Sequence, residues 1–68
     1  MDELIGKSVL SFGYAMNIQR RGQIIAEEST RWGEAYIIAW EDRKVEPFFK
    51  HQIKSVKEKN GIGVYYED

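Results

Sequence analysis

This 68-residue chain has no cysteine, a single proline, a single histidine and no long apolar run. Without cysteine there are no disulfides, and with His51 as the lone imidazole a structural zinc site lacks its ligands. No metal and no cofactor are expected. No apolar stretch approaches the ~20 residues that a membrane-crossing helix needs. The opening MDELIGKSVL lacks a basic stretch followed by an apolar one, so it is not read as a signal peptide. The expected location is cytoplasmic. The glycines are scattered as strand and turn punctuation, with no Gly-rich phosphate loop, linker or low-complexity segment.

What is present is aromatic and β-branched. Three Phe, four Tyr and two Trp supply large side chains for a core. A chain this short buries only ~60% of its unfolded surface, so one domain spanning residues 1–68 is expected. Leu4 to Phe12 reads as a first strand, with Ser8, Leu10 and Phe12 on one face and Val9 and Ser11 on the other. Residues 13–20 carry no clear cap; an extended loop and a single helical turn both fit. Gly22 opens a second strand, Gln23 to Glu27, with Ile24 and Ala26 sharing a face and Ile25 opposite. Glu28 to Gly33 supplies the turn. A third strand, Glu34 to Glu41, groups Tyr36, Ile38 and Trp40 against Ala35, Ile37 and Ala39. Both of its faces are partly apolar, as in a strand buried on both sides or one that meets a partner.

Glu41, Asp42 and Arg43 form a charged turn before a fourth strand, Lys44 to Phe49. Pro47 has no N–H, which places that strand at an edge or a bulge. Residues 50–53 fit one 3₁₀ turn, and Ile53 to Lys57 a fifth strand. Asn60-Gly61 suits both positive-φ positions of a type I′ turn. It is expected to join residues 56–59 to a final strand, Ile62 to Tyr66, as a hairpin.

These pieces resemble SH3-like barrels of the Tudor and KOW kind. The resemblance rests on Leu4-Ile5-Gly6-Lys7-Ser8-Val9, Arg21-Gly22-Gln23-Ile24-Ile25, Tyr36 to Asp42, Val45-Glu46-Pro47-Phe48, and Ile53 to Val56. It covers about residues 4–57, and the Asn-Gly hairpin departs from it. It implies an all-β fold: a small SH3-like five-stranded antiparallel barrel with an added C-terminal hairpin strand. It also implies binding rather than catalysis. Such barrels take nucleic acid, peptides, methylated side chains or other subunits, and fold alone does not choose among these.

The residues narrow that choice. A nucleophile needs a base within reach, yet His51 sits in a basic segment, and Ser29 and Ser55 belong to no motif. No enzyme is expected. A cage for a methylated cation would draw on Tyr14, Trp32, Tyr36, Trp40 and Phe48. Tyr36 and Trp40 share a face with Ile38, however, and read as core. Nucleic acid would be met by Arg20, Arg21, Lys44, Lys50, Lys54 and Lys57, with Tyr14 or Trp32 stacking on a base. Residues 43–59 are indeed net basic, but the pI of about 5.8 argues against this use. A solvated, aggregation-resistant edge explains the same lysines. The leading expectation is an accessory module acting by protein–protein contact, with another protein or a second copy of the chain. Trp32, beside Arg31 in a polar turn, reads as an anchor or as a lid on the core. Ile25 and Ile37 lie opposite the core rows and form an apolar patch with Ala35 and Ala39 unless the last strand covers it.

Overall fold

The computed structural model describes residues 4–68, Met16 by its backbone alone. The strands are β1 (Ser8–Phe12), β2 (Ile18–Thr30), β3 (Gly33–Trp40), β4 (Val45–Phe49), β5 (Ile53–Ser55) and β6 (Gly63–Tyr66). They form one sheet in the order β4-β3-β2-β1-β6-β5. Neighbours are antiparallel except β5 and β6, which are parallel. The fold is all-β, as expected. The expected closed, five-stranded antiparallel barrel is corrected to a six-stranded mixed sheet, open because the edge strands β4 and β5 do not pair.

Alternation along β3 sets the core. Tyr36, Ile38 and Trp40 are buried, and Ile24 stands opposite Ile38 in the β2–β3 ladder. Val9, Ile53 and Val64 join them, and Phe48 packs alongside. Side chains from all six strands therefore meet on one face. A flat sheet cannot do that, so this one coils, and β2 carries the bend. Its pairing shifts register opposite Ser11/Phe12 and again between Ile24 and Ala26. The second irregularity inserts Ile25 as an extra residue, which bends the strand and raises its twist. It also moves Ala26 opposite Ile37, so Ile24 and Ala26 do not share a face as simple alternation predicts.

Gly22 lies inside β2 rather than at its start, paired with Val9 on one side and Trp40 on the other. A Cβ there would come within 2.8 Å of the Ala39 carbonyl oxygen and of the Trp40 ring. One of those neighbours is backbone and cannot swing aside. Gly22→Ala is expected to destabilise the domain by ~1–3 kcal/mol, read from the urea midpoint. An unchanged midpoint would show that β2 and β3 have slack at this crossing.

The C-terminal end differs most from expectation. Residues 56–58 form a 3₁₀ turn, and Asn60 keeps a negative φ, so no type I′ hairpin forms at Asn60-Gly61. Instead residues 56–62 cross over and return the chain beside β1. The reason lies in β1 itself. Leu10 and Phe12 face away from the main core and need cover. Leu10 pairs with Tyr65, and these residues form a second buried cluster with Val56 packed on it. Phe12 meets Tyr65 edge to face, with ring centroids 5.8 Å apart. The Tyr65 hydroxyl ties down the crossover, accepting from the Asn60 N–H at 3.4 Å and donating to the Gly61 carbonyl at 3.1 Å. An antiparallel hairpin would have left that cluster bare.

Smaller boundaries also move. Tyr14–Met16 is a single 3₁₀ turn, and β2 starts directly after it at Ile18. The Lys50–Gln52 3₁₀ turn appears where expected. Pro47 lies on the edge strand β4, as its missing N–H requires.

Candidate functional site

Residues directly opposite in a ladder share a face of the sheet. On the face away from the main core, Ala35 stands opposite Phe49, Ile37 opposite Pro47 and Ala39 opposite Val45. Ala26 adjoins Ile37 from the other side. This is an apolar strip on β3 and β4, joined on β2 by Ala26 and flanked there by Gln23, opposite Ala39, and Glu28, opposite Ala35. Val45 is 60% exposed and Ile25 47%, whereas Ile37, Ala39 and Phe49 are half-buried and Ala35 is buried. The last strand does not cover it: β6 pairs with β1, Val64 points into the main core, and Ile62 is exposed. Ile37 lies in this row, opposite Pro47, and Ile25 is the residue inserted just before Ala26, the partner of Ile37 on β2. Val45, Pro47 and Phe49 complete the surface and were not among the expected site residues. Their alternation along 45–49 is visible in the sequence, but it acquires meaning only through the β3–β4 register.

Trp32 is 76% exposed and is not a lid on the core. The β2–β3 turn is tighter than the expected Glu28–Gly33 segment, because β2 runs to Thr30 and β3 begins at Gly33. The Thr30 hydroxyl accepts from the Trp32 N–H at 3.1 Å and donates to the Gly33 carbonyl at 2.7 Å. Gly33, at φ +135, permits the chain to turn there. The tip is therefore held by its own hydrogen bonds while the indole stays in solvent. The Arg31 guanidinium lies 5.3 Å from the Trp32 ring centroid. Behind Trp32, Ala35, Pro47, Phe49 and Gln52 line a cleft of about 290 Å³.

The neighbouring edge is blunted against strand addition. The Trp40 N–H bonds the Lys44 carbonyl at 2.8 Å. Antiparallel alternation then turns the backbone groups of Val45, Pro47 and Phe49 to the open side. Pro47 has no N–H to offer, and that of Phe49 is held by Gln52 Oε1 at 3.2 Å.

The basic residues do not gather into one surface. Arg20 is engaged within the fold: it donates to Glu46 at 3.0 Å, lies 3.5 Å from the Asp42 carboxylate, and stacks 4.2 Å above the Trp40 ring. Its Nε and Nη2 are buried without a hydrogen bond, as is Trp40 Nε1. Lys50 pairs with Glu27 at 2.7 Å and lies 4.9 Å from the Tyr36 ring centroid. Arg21, Lys44, Lys54 and Lys57 are exposed, spread over β2, the start of β4, β5 and the crossover. Tyr14 is exposed on the turn ahead of β2, whereas Trp32 follows the far end of that strand. The two exposed cage candidates are thus set apart, and Tyr36 and Trp40 belong to the core. The His51 ring stacks on Phe49, with centroids 5.6 Å apart. Among the described residues no cluster of His, Asp and Glu could hold a metal ion. None of their helices is long and apolar enough to cross a membrane.

In comparisons with known proteins, no family model, no curated protein and no solved structure matches this chain.

Proposed function

We propose that this chain is a non-catalytic accessory module, SH3-like in design, that works by protein–protein contact through the outer face of β2–β4. Trp32, Ile25 and Ile37 supply the apolar contact, and Arg31 borders it. One observation carries this reading. The chain covers the outer apolar cluster of β1 and β6 with its own residues 56–62, yet leaves Ile25, Val45 and Pro47 of β2–β4 exposed beside a half-buried row of Ile37, Ala39 and Phe49. An uncovered apolar sheet face beside an exposed tryptophan is the usual mark of a docking surface. The SH3-like, Tudor- or KOW-type assignment draws support from the antiparallel run β1–β2–β3–β4, followed by a 3₁₀ turn and a short strand. Here β6 stands beside β1, where a simple barrel would seat its closing strand. The setting we assign is a larger cytoplasmic complex, with another protein or a second copy as the partner.

The alternative is weak binding of DNA or RNA. With Arg20 and Lys50 held in ion pairs, it would fall to Arg21, Lys44, Lys54, Lys57 and Tyr14. Salt separates the two readings. Phosphate binding falls steeply between ~50 and ~200 mM salt, and an apolar interface does not. The complex isolated at low salt is expected to survive this change; its release would favour the nucleic-acid reading.

A further inference from the structure

Two clefts adjoin at Gln52. One lies behind Trp32 on the proposed contact face. The other, of about 440 Å³, opens where β4, the Lys50–Gln52 turn and β5–β6 come together. Phe48, Val64 and Tyr65 supply its apolar wall, and His51, Gln52, Lys54 and Asn60 its polar one. No carboxylate lines either cleft, in a chain with eleven Asp and Glu. A third cleft provides the contrast. Arg20 and Arg21 face Glu41 and Asp42 there, so both signs are already present.

Two polar groups of the second cleft, Gln52 and Lys54, act as donors, and the Asn60 amide and His51 ring can donate as well as accept. The Gln52 oxygen is used by the Phe49 N–H, which leaves its NH₂ group to donate. The Lys54 ammonium has three donors and enters none of the ion pairs found among the described residues. The Tyr65 hydroxyl is spent within the crossover. What remains asks for an acceptor with negative charge, attached to something apolar.

We infer that the partner presents an acidic–apolar segment: an apolar side chain seated against Trp32, followed by Asp or Glu carboxylates that reach Gln52, Lys54 and His51. This rests on the proposed contact face and names what it recognises. Gln52 lines both clefts, and each has an apolar wall, which suits a peptide better than a phosphate backbone. Blunting of the β4 edge by Pro47 and Gln52 means that the segment is held by side-chain pockets and charge, not by strand addition.

The test is selection of binders from a random-peptide display library on the intact chain, with random single-stranded RNA and DNA pools run in parallel. Selected peptides are expected to carry Asp or Glu close to an aromatic or aliphatic residue. Two variants read the two halves separately. His51→Glu with Lys54→Glu changes exposed positions, and circular dichroism verifies that the fold is kept. It is expected to weaken a selected peptide ~10-fold or more. Trp32→Ala is expected to weaken it at least as much. Peptides that depend on Trp32 but carry no acidic preference overturn the acidic-segment inference and leave the contact face standing. Selection of nucleic acid, or of no peptide, overturns both.

Discussion

Trp40→Ala is expected to unfold this domain. Trp40 is buried at the end of β3, meets Phe48 edge to face at 5.9 Å, and carries the Arg20 guanidinium on its ring. Its Nε1 makes no hydrogen bond, so the loss is one of packing and of the cation–ring contact. Truncating a buried tryptophan costs ~3–5 kcal/mol. Small domains have total stabilities near the low end of ~5–15 kcal/mol, with no disulfide in reserve here. Loss of Trp40 also strips the cover from Arg20, whose Nε and Nη2 are already without hydrogen-bond partners. Circular dichroism and urea titration give the readout. A Trp40→Ala protein that melts like the parent would remove the case for a core centred on this residue.

Trp32→Ala is expected to do the reverse, keeping the fold and losing the partner. The indole is exposed, and the turn that carries it is closed by Thr30 and Gly33 backbone and hydroxyl groups that the substitution leaves alone. The change in stability should stay within ~0.5 kcal/mol. Partner affinity should fall by ~2 kcal/mol or more, about 30-fold, as for an aromatic anchor. Titration calorimetry on the isolated complex separates this from a general surface effect, because Val45→Ala, at the rim of the same face, should cost far less. Equal losses from both would spread the contact evenly and remove the anchor role of Trp32.

The burial of Trp40 could be read from the sequence, since it alternates with Tyr36 and Ile38, whereas the exposure of Trp32 could not, because an aromatic in a polar turn can equally fold back over the core. The inward row of β3, its pairing with Ile24 and the edge position of Pro47 follow from two-residue alternation and from the missing N–H. Two features escaped that logic. The inserted Ile25 is a matter of bend, and alternation has no sign for a bulge until the pairing of β2 with β3 is known. The C-terminal end misled for a stronger reason. Asn60-Gly61 has the chemistry of a tight hairpin, but the local preference is outweighed by burial of Leu10, Phe12 and Tyr65 under the crossover. The outer apolar strip was half visible: Ile25, Ile37, Ala35 and Ala39 come from local pattern, although Ala35 proves buried, whereas Val45, Pro47, Phe49 and the place of Gln52 depend on a register set across the sheet.

The measurement that bears most directly on protein contact is recovery of the native complex from nuclease-treated lysate with three forms of the chain. The parent is compared with Trp32→Ala/Ile25→Glu on the outer face and with Arg21→Glu/Lys44→Glu/Lys57→Glu on the exposed basic residues. A carboxylate placed at Ile25 must be desolvated on docking, which is costly. Contact through the outer face predicts that the parent and the basic-residue variant keep the same protein after nuclease, the latter associating more slowly, while the Trp32/Ile25 variant loses it. A folded Trp32/Ile25 variant that keeps its partner, or a partner lost from the parent on nuclease treatment, would contradict it.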